Sequence, residues 1–373
     1  MDAIRILGAG LSGLTTAILL ARRGLAVEVR DRSLGGHGRF RGGFQVLENG
    51  SVERDCLAEL AAIGLEPRCE LIPLVTATFV DARRRVYEVK SAQPYAYMLR
   101  RGPGEGTLDT WLEAEARRAG VRIEPGSRSD DWLPEVVATG PACADGAARE
   151  LVFRTDHPDL VVTLFDTALA PTGYAYLFVQ HGWGTAGAAQ VCGLGELRGN
   201  ADRAIAELFR LYPMQRQNEH EHGQVMNFAI PRHLRHDNCW FVGEAAGVQD
   251  FLFGLGNRLA VRSAALVADA LGGRGWDETR FRRDIVAPMR GSIAARFLYE
   301  HLGNGGLELL CRFFAGGDFR RRLLALQRPN PFRAAMTAVV MRAWRAGDAQ
   351  RGSPVMAWAR RAEGSGAPDL LGA

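Results

Sequence analysis

Ile4-Arg5-Ile6-Leu7-Gly8-Ala9-Gly10-Leu11-Ser12-Gly13 opens the chain; a helical run to Arg22 and the stretch Val27-Glu28-Val29-Arg30-Asp31 follow it. The order is apolar strand, glycine turn, helix, second strand and closing acid, and each part has a task in holding a dinucleotide. Gly8 permits the tight turn, Gly10 lets the backbone approach a pyrophosphate, and Gly13 lets helix and strand pack closely. The helix start at Leu11 and Ser12 offers unpaired N–H groups and a positive dipole end to the phosphates. Asp31, with Arg32 next to it, is placed to accept hydrogen bonds from a ribose hydroxyl.

Working outward, the 373 residues are enough for large cores and are read as two domains. The 47% hydrophobic and 24% charged residues are ordinary for a globular protein. Of the 46 basic residues only Lys90 is lysine, a bias that fits genomic base composition better than chemistry. A net charge of +4 is slight for this length, so nucleic acid is not an expected partner. Cys56, Cys69, Cys143, Cys192, Cys239 and Cys311 lack CxxC spacing and read as reduced thiols. His220-Glu221-His222 looks like a metal motif, but such histidines do not share a helical face, and no metal is expected. The first strand begins almost at Met1 and no apolar run reaches membrane-spanning length. A cytoplasmic protein, at most peripheral to a membrane, is the expectation.

Residues 35–44 carry five glycines, which reads as a loop pressed against the nucleotide or a mobile surface loop. A helix is predicted from Glu53 to Ile63, and a hairpin from Thr76 to Val89. Thr107 can cap a helix from Leu108 to Ala119, with Gly120 ending it. Val136-Val137-Ala138-Thr139-Gly140 and Cys239-Trp240-Phe241-Val242-Gly243 each read as a buried strand with a small-residue exit. Between them the pattern is β-rich. The expected organisation is a discontinuous nucleotide domain (1–72, 92–150, 225–290), a β-rich substrate domain (73–91, 151–224) and a helical C-terminal region (291–373). The fold class is α/β: a Rossmann-type parallel sheet with helices in three layers, interleaved with an antiparallel sheet.

Together these segments resemble the geranylgeranyl reductase family, within the para-hydroxybenzoate-hydroxylase-like FAD enzymes. The opening fingerprint carries the resemblance first, with Asp31 where FAD members usually have Glu. Arg100-Arg101-Gly102 before Leu108-Asp109 is similar to the segment preceding the second cofactor-domain helix, and Thr139-Gly140 to a strand end that lies against FAD. Gly243-Glu244-Ala245-Ala246-Gly247, then Gly254-Leu255-Gly256-Asn257 and Ala260-Val261-Arg262-Ser263, resembles the family's Gly-Asp-Ala-Ala-Gly, Gly-x-Gly and Ala-Met-Arg-Ser segments. The resemblance implies that Glu244 reaches the ribityl chain and that Gly254, Gly256 and Asn257 face the flavin pyrimidine edge, where a helix start stabilises negative charge. Glu244 for Asp and Phe251 for a usual Pro are departures.

Tyr174, Tyr176 and Phe178, then Gly187, form a degenerate match to the family's Tyr-x-Trp-x-Phe-Pro stretch, which lines an apolar tunnel. Alternate positions on a strand share a face, so the three rings can form one wall; an ordinary aromatic sheet core reads the same way. Phe44, Phe251 and Phe253 join them as expected substrate contacts, and Tyr174 and Tyr176 are the candidate catalytic residues. Gly247 stands where aromatic hydroxylases usually have His, and the lysine of flavin halogenases would have to be Lys90. The implied activity is FAD-dependent reduction of C=C bonds in a hydrophobic, polyprenyl-like molecule, with NAD(P)H or another reductant as donor. A flavin monooxygenase or halogenase acting on an aromatic is the alternative, and a non-catalytic flavin-binding protein the third reading. From Arg312 to Arg361 eleven arginines meet two acids. Phe332, Met336, Val339, Val340, Ala343 and Trp344 fall on one helical face there, which suits either contact with an anionic membrane surface or a cap on the substrate domain.

Overall fold

The structure, a computed structural model, describes residues 3–33, 40–126, 131–327 and 331–351, with side chains up to 342. Part of the glycine-rich loop (35–39), the side chains of Ala343 and Trp344, and the tail after 351 therefore lie outside the described residues.

The opening strand Ile4–Leu7 sits inside a six-stranded sheet in the order Arg235–His236, Cys239–Phe241, Val136–Val137, Ile4–Leu7, Val27–Asp31, Arg122–Pro125. All neighbours run parallel except the edge strand Arg235–His236. Parallel strands need covered faces, which explains the apolar runs at Ile6, Val29 and Val137, all fully buried. Helix Leu11–Ala21 is buried almost all round because helices Leu108–Arg118 and Asn257–Asp269 pack against it. Thr107 caps the helix that follows it, its Oγ1 accepting from the Thr110 N–H at 3.3 Å. The helix expected at Glu53–Ile63 runs from Cys56 to Ala62, because Asp55 caps it by accepting from the Leu57 N–H.

The second sheet has seven strands, in the order Gln217–Met226, Gly146–Arg154, Trp183–Gln190, Tyr174–Gln180, Leu160–Phe165, Thr76–Asp81, Val86–Lys90. It is antiparallel apart from the pairing of Leu160–Phe165 with Thr76–Asp81. A three-stranded sheet, Phe44–Glu48, Ala96–Arg100 and Ile72–Leu74, adjoins the two. The expected boundary at 150 falls inside strand Gly146–Arg154, that at 224/225 inside Gln217–Met226, and that at 290/291 inside helix Ala287–His301. Sheet pairing moves the first two, since one hydrogen-bonded strand cannot be divided between domains.

Helices Ala287–His301, Gly303–Ala315, Phe319–Gln327 and Pro331–Arg351 close the molecule. Phe319 meets Phe79 edge-on at 5.4 Å and Phe314 at 4.9 Å, which docks these helices on the second sheet. Arg320, 8% exposed, donates to the Asn49 and Glu53 carbonyls at 2.8 Å and to Gln93 Oε1 at 3.0 Å, pinning the helices over the loop after Phe44–Glu48. The apolar face expected around Phe332 is divided: Val340 is buried and Met336 packs on the core, whereas Phe332 and Val339 are exposed. Packing against helix Ala287–His301 takes the inner half of that face. No helix among the described residues is long and apolar enough to cross a membrane.

Candidate functional site

The glycine turn forms one end of a cavity of about 2020 Å³. A pocket for one small molecule is roughly 300–1,000 Å³, so this cavity has room for two ligands side by side. Gly8, Gly10, Leu11, Ser12, Asp31, Arg32, Thr139 and Gly140 line it. Gly8 has φ of 109°, and a Cβ there would collide with the Ala138 carbonyl. Gly13 lies behind the wall, where a Cβ would overlap the Gly8 carbonyl oxygen. A Cβ at Gly10, by contrast, meets nothing within 4 Å. The two buried glycines thus shape the turn while the third leaves its cavity side open. Asp31 also fixes the turn: Oδ2 accepts from the Ala9 N–H at 2.7 Å and Oδ1 from the Ser33 N–H at 2.8 Å.

Glu244, Gly254, Gly256 and Asn257 line the middle of the cavity. Gly243 supports them from beneath, its N–H donating to Ser263 Oγ at 2.9 Å and its Cα packed against Ser12. Arg100 ends strand Ala96–Arg100 and Arg101 follows it, and the two side chains go to different places. Arg101 lines the cavity and forms a two-pronged pair with Asp109, both bonds 2.8 Å, with each side chain about 5% exposed or less. Its remaining nitrogen donates to Gln45 Oε1 at 3.1 Å and Asn257 Oδ1 at 3.0 Å, tying the strand to the start of the last nucleotide-domain helix. Arg100 lies outside the main cavity, donating to the Glu105 carbonyl at 2.9 Å with its guanidinium 4.6 Å over the Trp183 ring. The expectation that Arg100 binds the cofactor is corrected accordingly.

Beyond lies an aromatic chamber. Tyr174, Tyr176 and Phe178 present their rings along one strand face, with centroids 5.9 and 5.1 Å apart, and Phe44 and Phe253 complete the wall. Phe251 does not reach it. It is buried against Phe228, ring centroids 5.4 Å apart, and its N–H donates to Ser292 Oγ. The two tyrosine hydroxyls are committed differently. Tyr174 Oη donates to the Phe253 carbonyl at 2.7 Å, whereas Tyr176 Oη donates to Glu150. Glu150, Gln224 and Asp250 in this wall escaped the sequence reading, whereas a C-terminal helix over the cavity is the cap that it held open. Only the strand register brings the first two beside Tyr176.

Asp250 sits at the base of the loop leading to Gly254, its Oδ2 accepting from the Phe253 N–H at 2.7 Å. Desolvation pushes its carboxyl from 3.8 up to about 6, with the nearby Glu48 charge adding to the rise. The folded state therefore holds this proton more tightly than the unfolded chain. No penalty exists below about pH 4, where both states are protonated. Stability falls as pH rises through about 6, and the full penalty remains above it. Asp250→Asn is expected to raise the melting temperature above pH 6, on the order of 2–4 °C, and to leave it unchanged near pH 4. Thermal melts at the two pH values check this.

Lys90 stands on the edge strand, exposed, with Nζ 3.0 Å from Glu88 Oε2, and does not line the cavity. His220 and His222 lie in strand Gln217–Met226 instead of a helix. No group of three or more His, Cys, Asp or Glu able to hold a metal occurs among the described residues.

No family model matches the sequence, and no curated protein matches it. Solved structures do. A geranylgeranyl bacteriochlorophyll reductase-like protein from Thermoplasma acidophilum aligns over 87% of this chain and 95% of its own, with 16% identity and a TM-score of 0.67. The p-nitrophenol 4-monooxygenase from Pseudomonas putida aligns over 88% and 99%, with 13% identity and a TM-score of 0.60. A flavin-dependent brominase aligns over 93% and 99%, with 16% identity and a TM-score of 0.56. The α/β fold of this chain is therefore shared by proteins of reductase-like, monooxygenase and halogenating type.

Proposed function

We propose that this protein is an FAD-dependent oxidoreductase that reduces C=C bonds of a hydrophobic, polyprenyl-like substrate. The observation that carries the reading is one cavity lined both by the glycine turn and by the aromatic face of strand Tyr174–Gln180. FAD fits the residues present: the open face of Gly10 accepts the pyrophosphate, Asp31 the ribose, and Glu244 the ribityl chain. Gly254, Gly256 and Asn257, at the start of helix Asn257–Asp269, would hold the flavin ring. Bound there, the flavin would accept electrons from NAD(P)H or another reductant and pass a hydride to the substrate. Tyr174, Tyr176, Phe178 and Phe253 would hold a flexible chain by contact with ring faces and exclude water from it.

The monooxygenase or halogenase reading remains the alternative, favoured by the shared fold. The position of Lys90, away from the cavity, counts against lysine-assisted halogenation. With NAD(P)H supplied, a polyprenyl alcohol such as geranylgeraniol should perturb the flavin spectrum saturably, and each reductant consumed should remove one double bond. Reductant consumption matched by oxygen uptake and a hydroxylated or halogenated aromatic product would overturn the reductase reading.

A further inference from the structure

Residues from four adjacent strands meet in one row beneath the aromatic chamber. In the seven-stranded sheet Tyr176 is paired with Gly187, Gly187 with Glu150, and Glu150 with His222. Gly187 makes the row continuous. A Cβ there would stand 2.9 Å from Tyr176 Oη and 3.0 Å from Glu150 Cγ, so only glycine lets the phenol cross its strand and donate to Glu150 Oε1. Gln224 Nε2 donates to the same oxygen at 3.3 Å, and His222 Nε2 stands 2.8 Å from Glu150 Oε2. Gly43, from the loop before Phe44–Glu48, covers the pair closely: a Cβ on it would lie 3.1 Å from both Glu150 Oε2 and His222 Cε1. The side chains of Glu150 and His222 are about 5% exposed or less, and neither ring nitrogen of His222 has a hydrogen bond of good geometry among the described residues, although Nε2 stands within contact distance of Glu150. A carboxylate and an imidazole held this deep, and joined to a cavity-facing phenol, need a reason beyond packing.

We propose that Glu150 and His222 deliver protons to Tyr176, which hands them to the substrate. This deepens the reductase reading and rests on it. Adding hydrogen across a C=C bond takes a hydride at one carbon, supplied by reduced flavin, and a proton at the other. The Tyr176 O–H bond breaks as the second C–H bond forms. The proton returns from a His222 N–H: that bond breaks as Glu150 is protonated, and the new Glu150 O–H bond breaks as the Tyr176 hydroxyl is restored, which leaves Glu150 a carboxylate again. Reloading His222, which lies on the edge strand but has both ring nitrogens buried, takes a water admitted past Gly43, so one proton moves along the row per turnover and the phenol is left neutral. Burial first, and then the Glu150 carboxylate, raise the Tyr176 phenol well above its ordinary range, so it stays protonated between turnovers. Tyr174, the other titratable group beside Tyr176, is tied to the Phe253 carbonyl and takes no part. Tyr176 is the catalytic residue of the row; Glu150 and His222 are positioning residues that act through it.

The test compares wild type with Tyr176→Phe, Glu150→Gln and His222→Gln, each loaded with FAD, reduced anaerobically and mixed with geranylgeraniol. Tyr176→Phe should slow reoxidation about 10²–10⁴-fold, the range of general acid catalysis, with unchanged substrate affinity. Glu150→Gln and His222→Gln should slow it roughly 10- to 100-fold and lower the solvent deuterium isotope effect, which a merely structural role would not move. In the flavin-free protein, Tyr176→Phe should also shift the ¹⁵N ring resonances of His222, because Glu150 joins the two. Wild-type rates and isotope effects in all three variants, with unmoved His222 resonances in Tyr176→Phe, would overturn the row while leaving the reductase reading intact. A wild-type protein whose reduced flavin ignores the alkene would overturn that reading and the acid role with it.

Discussion

Gly10→Val is expected to yield a folded protein that retains no flavin through purification. The residue has φ of −83°, which valine tolerates, and a Cβ there touches nothing within 4 Å, so the empty protein loses little. The two methyl groups would occupy the space in which a pyrophosphate meets the turn and the N–H groups of helix Leu11–Ala21. A loss of at least hundredfold in FAD affinity, about 3 kcal/mol, is anticipated. Titration of flavin-free protein with FAD, followed by flavin fluorescence, measures it, and circular dichroism should match wild type. Gly13→Val makes the control. Its Cβ would overlap the Gly8 carbonyl oxygen, so it should cost the fold itself. A Gly10→Val protein with wild-type FAD affinity would mean that the pyrophosphate lies elsewhere.

Arg101→Ala should cost a large part of the protein's stability. The substitution strands Asp109, 5% exposed, without the guanidinium that neutralises it, and frees Gln45 and Asn257 from their shared partner. Removing one member of such a buried pair costs about 3–5 kcal/mol, chiefly because the remaining charge has lost its solvent. Chemical denaturation should show that fall, with an unchanged slope. The double variant Arg101→Met, Asp109→Leu should recover much of it, since a packed apolar pair carries no desolvation cost. FAD affinity should stay below wild type in the double variant, because Asn257 at the helix start, although it still donates to the Val46 carbonyl, has lost its Arg101 donor. Equal stability of Arg101→Ala and wild type would remove this knot from the account.

What could be read from the sequence was local. The glycine turn, its strands and the Thr107 cap depend on residues within a few positions of one another, and their spacing carries the geometry. Choices between adjacent residues were less legible. Arg100 ends a strand and Arg101 follows it, and Phe251 and Phe253 differ only in which way a loop turns, so the expected sets held side chains, Arg100 and Phe251, that do not line the cavity. Glu150 and His222 were invisible for another reason. The helical spacing rule dismissed His220-Glu221-His222, but the segment is a strand, and its value lies in pairing with a strand seventy residues earlier. Register of that kind is set by the whole sheet. The C-terminal helix showed its apolar positions plainly, yet packing of Met336 and Val340 against the core decides which of them face outward.

The most direct measurement is an anaerobic single turnover. The protein, loaded with FAD and fully reduced, is mixed with one equivalent of a polyprenyl alcohol in the absence of oxygen, while the flavin spectrum and the product mass are followed. The account predicts that the oxidised flavin spectrum returns and that the product is heavier by two hydrogens. Flavin that stays reduced until oxygen is admitted, and then yields an oxygenated or halogenated aromatic from an aromatic substrate, would contradict it.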